Sequence, residues 1–142
     1  MAVRRGHVRY FADENALGLA KILLRSRDDI VHPGHPLLPE VPRGTPDLTW
    51  LRVVGRLDLI VLTRERRIRT RPVELETYRR NGVRSVRIGG KQDMRPAELA
   101  ELFTKLEPRL NRLAVKLGPG PWAVAMRPTG VWELRLRDSG GQ

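Results

Sequence analysis

Acidic side chains stand at three separate places in the chain where cation chemistry could occur. Asp13 follows the short apolar run VRYFA, and Asp47 begins the stretch DLTWLRVVGR. Glu65 lies just beyond the apolar run DLIVLT. Carboxylates held a few ångströms apart repel one another unless a cation lies between them, and an oxygen-lined site suits Mg²⁺ or Mn²⁺. We therefore predict that Asp13, Asp47 and Glu65 bind a divalent cation if the fold brings them together.

Basic side chains adjoin the third of these acids. The chain has 27 Lys and Arg against 16 Asp and Glu, a formal net charge of +11, which favours a polyanionic partner. The run RERRIRTR holds five arginines, whose guanidinium groups can donate two hydrogen bonds to one phosphate. The alternative is an ordinary solvated surface. On the functional interpretation, a phosphodiester backbone would be held by Arg43, Arg64, Arg66, Arg67, Arg69 and Arg71.

Several other kinds of chemistry find little support. Cysteine is absent, which excludes disulfides and thiolate sites and favours a reducing, cytoplasmic location. The three histidines lack ligand spacing with carboxylates, and neither GxxxxGK[ST] nor GxGxxG follows a strand. No apolar run approaches the roughly 20 residues that span a bilayer, so we expect no membrane partner.

The elements that must position the acids follow from apolar periodicity and from proline and glycine. Strands are predicted at VRYFA, DDIVH, DLIVLT and VRSVRI. Helices are predicted directly after VRYFA, directly before DLIVLT, and from Pro72 to Gly82, where the glycine ends the helix. The segment PGHPLLPEVPRGTP is predicted to be a loop. A long helix should start at Pro96, with a kink or break at Pro108. WAVAM and VWELRL should form a terminal hairpin around RPTG.

This alternation predicts one domain over residues 1–142, a three-layer α/β/α sandwich with a mainly parallel sheet. Its core would be 8–90, and 95–137 would add the C-terminal helix and hairpin. In such sheets the site lies beyond the carboxyl ends of the strands, where Asp13, Glu65 and, less directly, Asp93 would meet Asp47. Each acid also has a structural alternative. Asp13 and Asp47 could simply cap helices, and Glu65 could pair with a neighbouring arginine.

The order FADEN, RGTPDLTWL, LIVLTRERRIRTRP resembles the PIN-like nuclease families, in particular the branch related to VapC-type toxins. The resemblance covers about residues 8–90. It aligns Asp13 and Asp47 with the family's first acids, and Thr63, Arg64 and Glu65 with its T-R-D signature. The usual Asp of that signature is Glu65 here, whose extra methylene moves the carboxylate by about 1.5 Å. Glu65 could therefore bind a cation through water.

The resemblance implies a Mg²⁺- or Mn²⁺-dependent endoribonuclease in which a metal-activated water attacks the RNA phosphodiester in line. Asp13, Asp47 and Glu65 would be the ligands, and Asn15 or Thr63 would orient the phosphate or a ligand. A cognate antitoxin protein is the implied partner, and homodimers are common in the family.

Three alternatives stay open. A phosphoreceiver domain also has acids after its first strand, but it needs an aspartate where this chain has Thr63 and Arg64. A non-catalytic nucleic-acid-binding module would keep the basic residues and not need the acids. A catalytically inactive PIN-like module would serve only to bind an antitoxin.

Overall fold

The computed structural model describes residues 5–65, 72–90 and 93–136. It contains four helices and six strands in these residues, in the order that the sequence pattern predicts. The helices are α1 (Leu17–Leu23), α2 (Asp47–Arg56), α3 (Pro72–Arg80) and α4 (Pro96–Leu117). The strands are β1 (Tyr10–Ala12), β2 (Ile30–Val31), β3 (Ile60–Thr63), β4 (Arg84–Ile88), β5 (Trp122–Arg127) and β6 (Gly130–Leu134).

All six strands join one sheet in the order β2-β1-β3-β4-β5-β6. The first five are parallel, and β6 returns antiparallel to β5 as the predicted hairpin. The chain winds outward from β1 to β2 on one side and to β3 on the other. The winding therefore reverses between β1 and β3, which is where open α/β sheets place their binding crevice.

Helices cover both faces of this sheet, which confirms the predicted α/β/α fold. Because alternate side chains of a strand point to opposite faces, Tyr10 and Phe11 enter different cores. Tyr10 packs edge-on against Phe103 of α4, with ring centroids 5.1 Å apart. Phe11 packs on Trp50 of α2 at 5.0 Å. The strand residues are buried almost without interruption in β1, β2 and β3, as expected for parallel strands covered on both sides.

The structure decides two local questions that the sequence raised. Of the kink or break predicted at Pro108, the break does not occur, because α4 runs unbroken to Leu117 and buries apolar residues on both sides of the proline, including Phe103 and Leu110. That burial outweighs the roughly 3 kcal/mol that an internal proline costs. Asp47 does not cap α2, because Pro46 occupies the N-cap position in an extended conformation and its carbonyl accepts hydrogen bonds from the first helical turn. The segment between β2 and α2 is a loop, as predicted.

Charged and polar side chains tie α4 to the amino-terminal ends of β1 and β2. The Arg27 guanidinium donates to both oxygens of Glu107, at 2.8 and 2.7 Å, and to both oxygens of Asp29, at 3.0 and 2.8 Å. The Tyr10 hydroxyl donates to Glu107 at 2.6 Å. Burial, assisted by Glu107, raises the pKa of Tyr10 well above its usual value. We call these four residues the amino-end network.

In the part of the chain that the structure describes, no helix has the length and apolar character to cross a membrane.

Candidate active site

A pocket of about 390 Å³ opens at the carboxyl ends of β1 and β3, where the winding of the sheet reverses. Four carboxylates from three distant segments of the chain line it, together with an amide and an indole. No basic side chain of the described residues is part of its wall. We call it the acidic pocket. It is lined by Asp13, Glu14, Asn15, Pro33, Gly44, Thr45, Asp47, Trp50 and Glu65.

Asp13 is the most buried of these acids, with 5 % of its surface exposed. Its backbone N–H donates to the carbonyl of Leu62 at 3.2 Å, which extends the pairing of β1 with β3 by one residue. The residue then turns the chain into a short 3-10 helix over 14–16, but its side chain makes no capping hydrogen bond there. Capping therefore does not account for this buried carboxylate.

Asn15 and Thr63 fix the chain just after β3. The Asn15 Oδ1 accepts hydrogen bonds from the Thr63 hydroxyl at 3.2 Å and from the Arg64 backbone N–H at 2.8 Å. The Thr63 hydroxyl oxygen in turn accepts the Glu65 N–H at 3.1 Å. Both side chains thus position the segment that carries Glu65. Asn15 also lines the acidic pocket, whereas Thr63 is buried beneath it with 5 % exposure.

Asp47 and Glu65 complete the acidic wall from two further elements. Asp47 lies in the first turn of α2, and its Oδ1 accepts a hydrogen bond from the Trp50 indole at 2.9 Å. This bond fixes the side chain toward the pocket that Trp50 also lines. Glu65 is exposed and stands at the end of the first described segment. The fold thus brings Asp13, Asp47 and Glu65 to one pocket.

Glu14 lines the same pocket although it was not among the site residues predicted from the sequence. Its Oε1 accepts the backbone N–H of Gly44 at 2.9 Å, which ties the proline-rich loop to the pocket. Gly44 has φ +83°, a conformation that favours glycine. The signal available in the sequence was the adjacency of Glu14 to Asp13, but sequence alone does not say which of two adjacent acids points to a ligand.

The predicted arginines fall into three groups. Arg64 turns away from the pocket, and its Nη1 donates to the Ile88 carbonyl at 2.5 Å over Gly89. Arg43 is exposed near the pocket loop but is not part of the wall. The remaining four lie outside the described residues: Arg66, Arg67, Arg69 and Arg71.

Asp93, the additional acid considered from the sequence, does not line the acidic pocket. It is exposed in the segment that leads into α4. The preceding strand, β4, is one position further from the switch point than β3.

The donor chemistry of the pocket fits a hard divalent cation, since the carboxylate oxygens that Mg²⁺ and Mn²⁺ prefer are concentrated there. Within residues 5–65, 72–90 and 93–136, no group of three His, Cys, Asp or Glu is close enough to enclose a metal ion. Mg²⁺ does not require such an enclosure, because it is commonly held by one or two carboxylates, several waters and substrate phosphate. The open acidic wall is compatible with that mode of binding.

A family model described as the PIN like domain matches residues 8–90, which is more than half of the chain. The match runs from just before β1 to just after β4 and includes all the acids of the pocket. Comparisons with curated proteins and with solved structures found no match.

Proposed function

Because the chain belongs to the PIN-like domain family, whose members are generally nucleases, we propose that it is a metal-dependent endoribonuclease of the VapC-toxin type. The reaction would be hydrolysis of RNA phosphodiester bonds with Mg²⁺ or Mn²⁺ as cofactor. The observation that carries the proposal is the convergence of Asp13, Asp47 and Glu65 on one pocket at the switch point of the sheet.

Each acid would have a distinct part in holding the cation. Asp13 is buried and rigidly placed between β1 and β3, so it is the natural direct ligand. Asp47 is oriented by the Trp50 indole, and exposed Glu65 would bind directly or through water. A cation held there would make a bound water more acidic and would neutralise negative charge on the RNA phosphate.

The polar residues around the acids would act through position. Asn15 and Thr63 hold the start of the segment after β3, so that Glu65 faces the pocket. Arg43 would meet the RNA backbone from the proline-rich loop. The same role is proposed for Arg66, Arg67, Arg69 and Arg71. Arg64 is assigned a structural role instead, since its guanidinium binds the Ile88 carbonyl.

The test is cleavage of a fluorescently labelled single-stranded RNA by the purified protein. Cleavage should require Mn²⁺ or Mg²⁺, stop in EDTA and be lost in Asp13→Asn. The matched control is Asp28→Asn, because the Asp28 side chain is 91 % exposed and lies outside the pocket. Full activity of Asp13→Asn, or RNA binding without cleavage under any cation, would refute the nuclease and favour a non-catalytic binding module.

The toxin assignment needs a cellular test. Expression of the chain alone should arrest growth, and co-expression with the neighbouring open reading frame should relieve the arrest if that frame encodes an antitoxin. Asp13→Asn should abolish the arrest while still forming a complex with the neighbour's product. Arrest that persists in Asp13→Asn would separate toxicity from the acidic pocket.

A further inference from the structure

The strand β6 forms one edge of the sheet, and among the described strands it pairs with β5 alone. The opposite edge strand, β2, has two residues, and both are buried. In β5, the Trp122 N–H donates to the Val83 carbonyl. The Met126 carbonyl accepts the Gly89 N–H. The even-numbered residues of β5 therefore turn their backbone groups toward β4, and its odd-numbered residues turn theirs toward β6.

The register of the hairpin then shows which backbone groups of β6 point outward. The odd-numbered residues of β5 pair with even-numbered residues of β6, as Ala123 does with Leu134. The backbone groups of Val131 and Glu133 consequently point away from β5, and Arg135 continues the alternation. No other strand in the described part of the chain takes up these groups. An edge of this kind is a template for a further strand.

The side chains of β6 and of the two residues after it alternate between charged and apolar. Glu133 and Arg135 are exposed on one face of the sheet. Trp132, Leu134 and Leu136 lie on the opposite face, where the tryptophan is 37 % exposed and the leucines are half-buried. Within the described residues, neither Glu133 nor Arg135 forms an ion pair. Charges of one sign keep edge strands apart, whereas opposite charges two residues apart are complementary to a second copy of the same strand.

We propose that β6 is a homodimer interface, in which two copies of the strand pair antiparallel around a two-fold axis at Leu134. In this register Leu134 faces its own copy, and Glu133 faces Arg135 of the partner subunit. Trp132 faces Leu136 of the partner subunit on the other side of the sheet. Because the backbone groups of Glu133 and Arg135 point outward, these two residues also exchange the inter-strand hydrogen bonds. The two-fold axis repeats every contact, so the interface is self-complementary.

Other registers of the same edge are less favourable. A two-fold axis perpendicular to the sheet pairs residues of the same face, so it must pass through a residue position. An axis at Glu133 would place two glutamates opposite each other, and an axis at Arg135 would do the same with two arginines. Like charges directly opposite each other destabilise a strand pair. An axis at Trp132 would leave Arg135 opposite the hairpin turn. The register at Leu134 is therefore the one that pairs opposite charges.

The interface lies apart from the acidic pocket. Two strands, β4 and β5, separate β3 from β6. The two-fold axis reverses the strand direction of the second copy, so the two acidic pockets would open at opposite ends of the joined sheet. The strand β6 also lies beyond residues 8–90, which match the PIN-like family model. Dimer formation is therefore independent of the proposed nuclease activity, and failure of either one leaves the other standing.

A cysteine cross-link tests the position of the axis, because the natural chain has no cysteine. Opposed residues that do not exchange hydrogen bonds, as Leu134 and its copy would be, have Cα atoms about 4.5 Å apart, within the range of a disulfide. Leu134→Cys should therefore give a disulfide-linked dimer under mild oxidation, measured on a non-reducing gel. The matched control Arg52→Cys carries its thiol on the exposed side of α2 and should stay monomeric on the gel.

A charge exchange tests the register. Sedimentation velocity of the unaltered chain should show a dimer whose fraction rises with concentration. Glu133→Arg and Arg135→Glu, taken singly, should each weaken the dimer on the order of tenfold, because each creates two like-charge contacts. The double variant, which exchanges the two charges, should recover most of the affinity. The control Arg52→Glu reverses an exposed charge outside the interface and should leave the dimer unchanged.

Three results would overturn the β6 interface. The first is a chain that stays monomeric at every concentration. The second is a double variant as weak as the single variants, when circular dichroism and urea unfolding show that all of them are folded. The third is a dimer in which Leu134→Cys cross-links no better than Arg52→Cys, since the contact would then lie elsewhere on the molecule.

Discussion

The two ends of the central sheet treat charge in opposite ways. At the amino-terminal end, the guanidinium of Arg27 donates four hydrogen bonds to the carboxylate oxygens of Asp29 and Glu107, and Tyr10 donates to Glu107 as well. Positive and negative groups are interleaved within one cluster. Charged groups that are paired in this way hold the helix and strands together, and few of their hydrogen-bonding positions remain for a ligand.

At the carboxyl-terminal end, the described side chains of like charge stand together. Four carboxylates line the acidic pocket without a basic side chain of the described residues in its wall. Two strands away, Arg87 and Arg127 lie beside an exposed tryptophan. Carboxylates that stand together in this way repel one another, and a bound cation lowers that cost. The difference teaches that paired charges hold the amino-terminal end together, whereas the carboxyl-terminal end is the one to which we assign binding in the proposed function.

The largest effect is expected from opening the amino-end network. Arg27→Met leaves Glu107 and Asp29 facing each other without the cation, and we expect the free energy of unfolding to fall by about 3 kcal/mol. Urea unfolding measures it. Arg80→Met, which removes an exposed pair with Glu76, should cost less than about 0.5 kcal/mol. Equal losses of unfolding free energy in both variants would show that the buried position of the Arg27 cluster adds nothing to stability.

A smaller loss of unfolding free energy is expected at Gly89, where the Arg64 guanidinium packs at the carboxyl-terminal end of the sheet. Gly89 has φ +89°, and a methyl group there would collide with the Arg64 guanidinium. Gly89→Ala should lower the free energy of unfolding by about 2 kcal/mol. Gly44→Ala has a similar φ of +83° but open space around it. It should lose only about 1 kcal/mol, and the difference between the two variants measures the collision of the added methyl group with Arg64 and Leu99.

Removing one negative charge should change the free energy of unfolding in opposite directions at the two ends of the sheet. Asp13→Asn takes one negative charge from the acidic pocket, so in EDTA we expect the free energy of unfolding to be unchanged or to rise by up to about 1 kcal/mol. Asp29→Asn weakens a bond to Arg27 and should lower it by about 1 kcal/mol. Thermal unfolding of both proteins at low salt makes the comparison. Clear destabilisation by Asp13→Asn would mean that the acid is structural.

The smallest effect is a graded dependence of stability on pH at the amino-terminal end. Burial raises the pKa of Glu107, but hydrogen bonds from Arg27 and Tyr10 and the charge of Arg27 outweigh it, so the pKa lies below the usual value. A lowered carboxyl pKa gives stability that is present above about pH 4.5 and is lost as the pH falls below it.

Urea unfolding between pH 3 and pH 6 should show this acid loss, and Glu107→Gln should reduce the slope. At the alkaline side the sign is reversed. Burial and Glu107 raise the pKa of Tyr10, so its contribution is present below about pH 10 and declines above it. Tyr10→Phe should flatten that decline, and an unchanged slope in both variants would contradict the network as the source.

Much of the fold could be predicted because its signals are local. DLIVLT gave β3 through continuous apolar character, and the repeat of leucines gave α4. Asp13 and Glu65 could be assigned to the same edge because parallel strands that pack side by side end together. The C-terminal hairpin followed from turn residues between two apolar runs.

What the sequence did not supply concerns contacts made after folding. A kink or break was expected at Pro108, and packing on both sides of the proline keeps α4 unbroken. Arg64 was predicted to bind RNA, which stays a prediction, and the structure adds that its guanidinium donates to a backbone carbonyl of β4, a strand that comes more than 20 residues later. Glu14 was not selected, although its carboxylate accepts the Gly44 N–H and lines the pocket.

The sequence by itself determined the alternation of strands and helices, the basic character of the chain and the places where acids follow strands, since each depends on composition or on neighbours along the chain. Only the tertiary structure decided that β1 and β3 are adjacent, that their acids share a pocket with Asp47 and that Trp132 stays exposed beside Arg127. The physical reason is that strand order and side-chain burial depend on contacts between residues far apart in sequence. Local propensity does not encode those contacts.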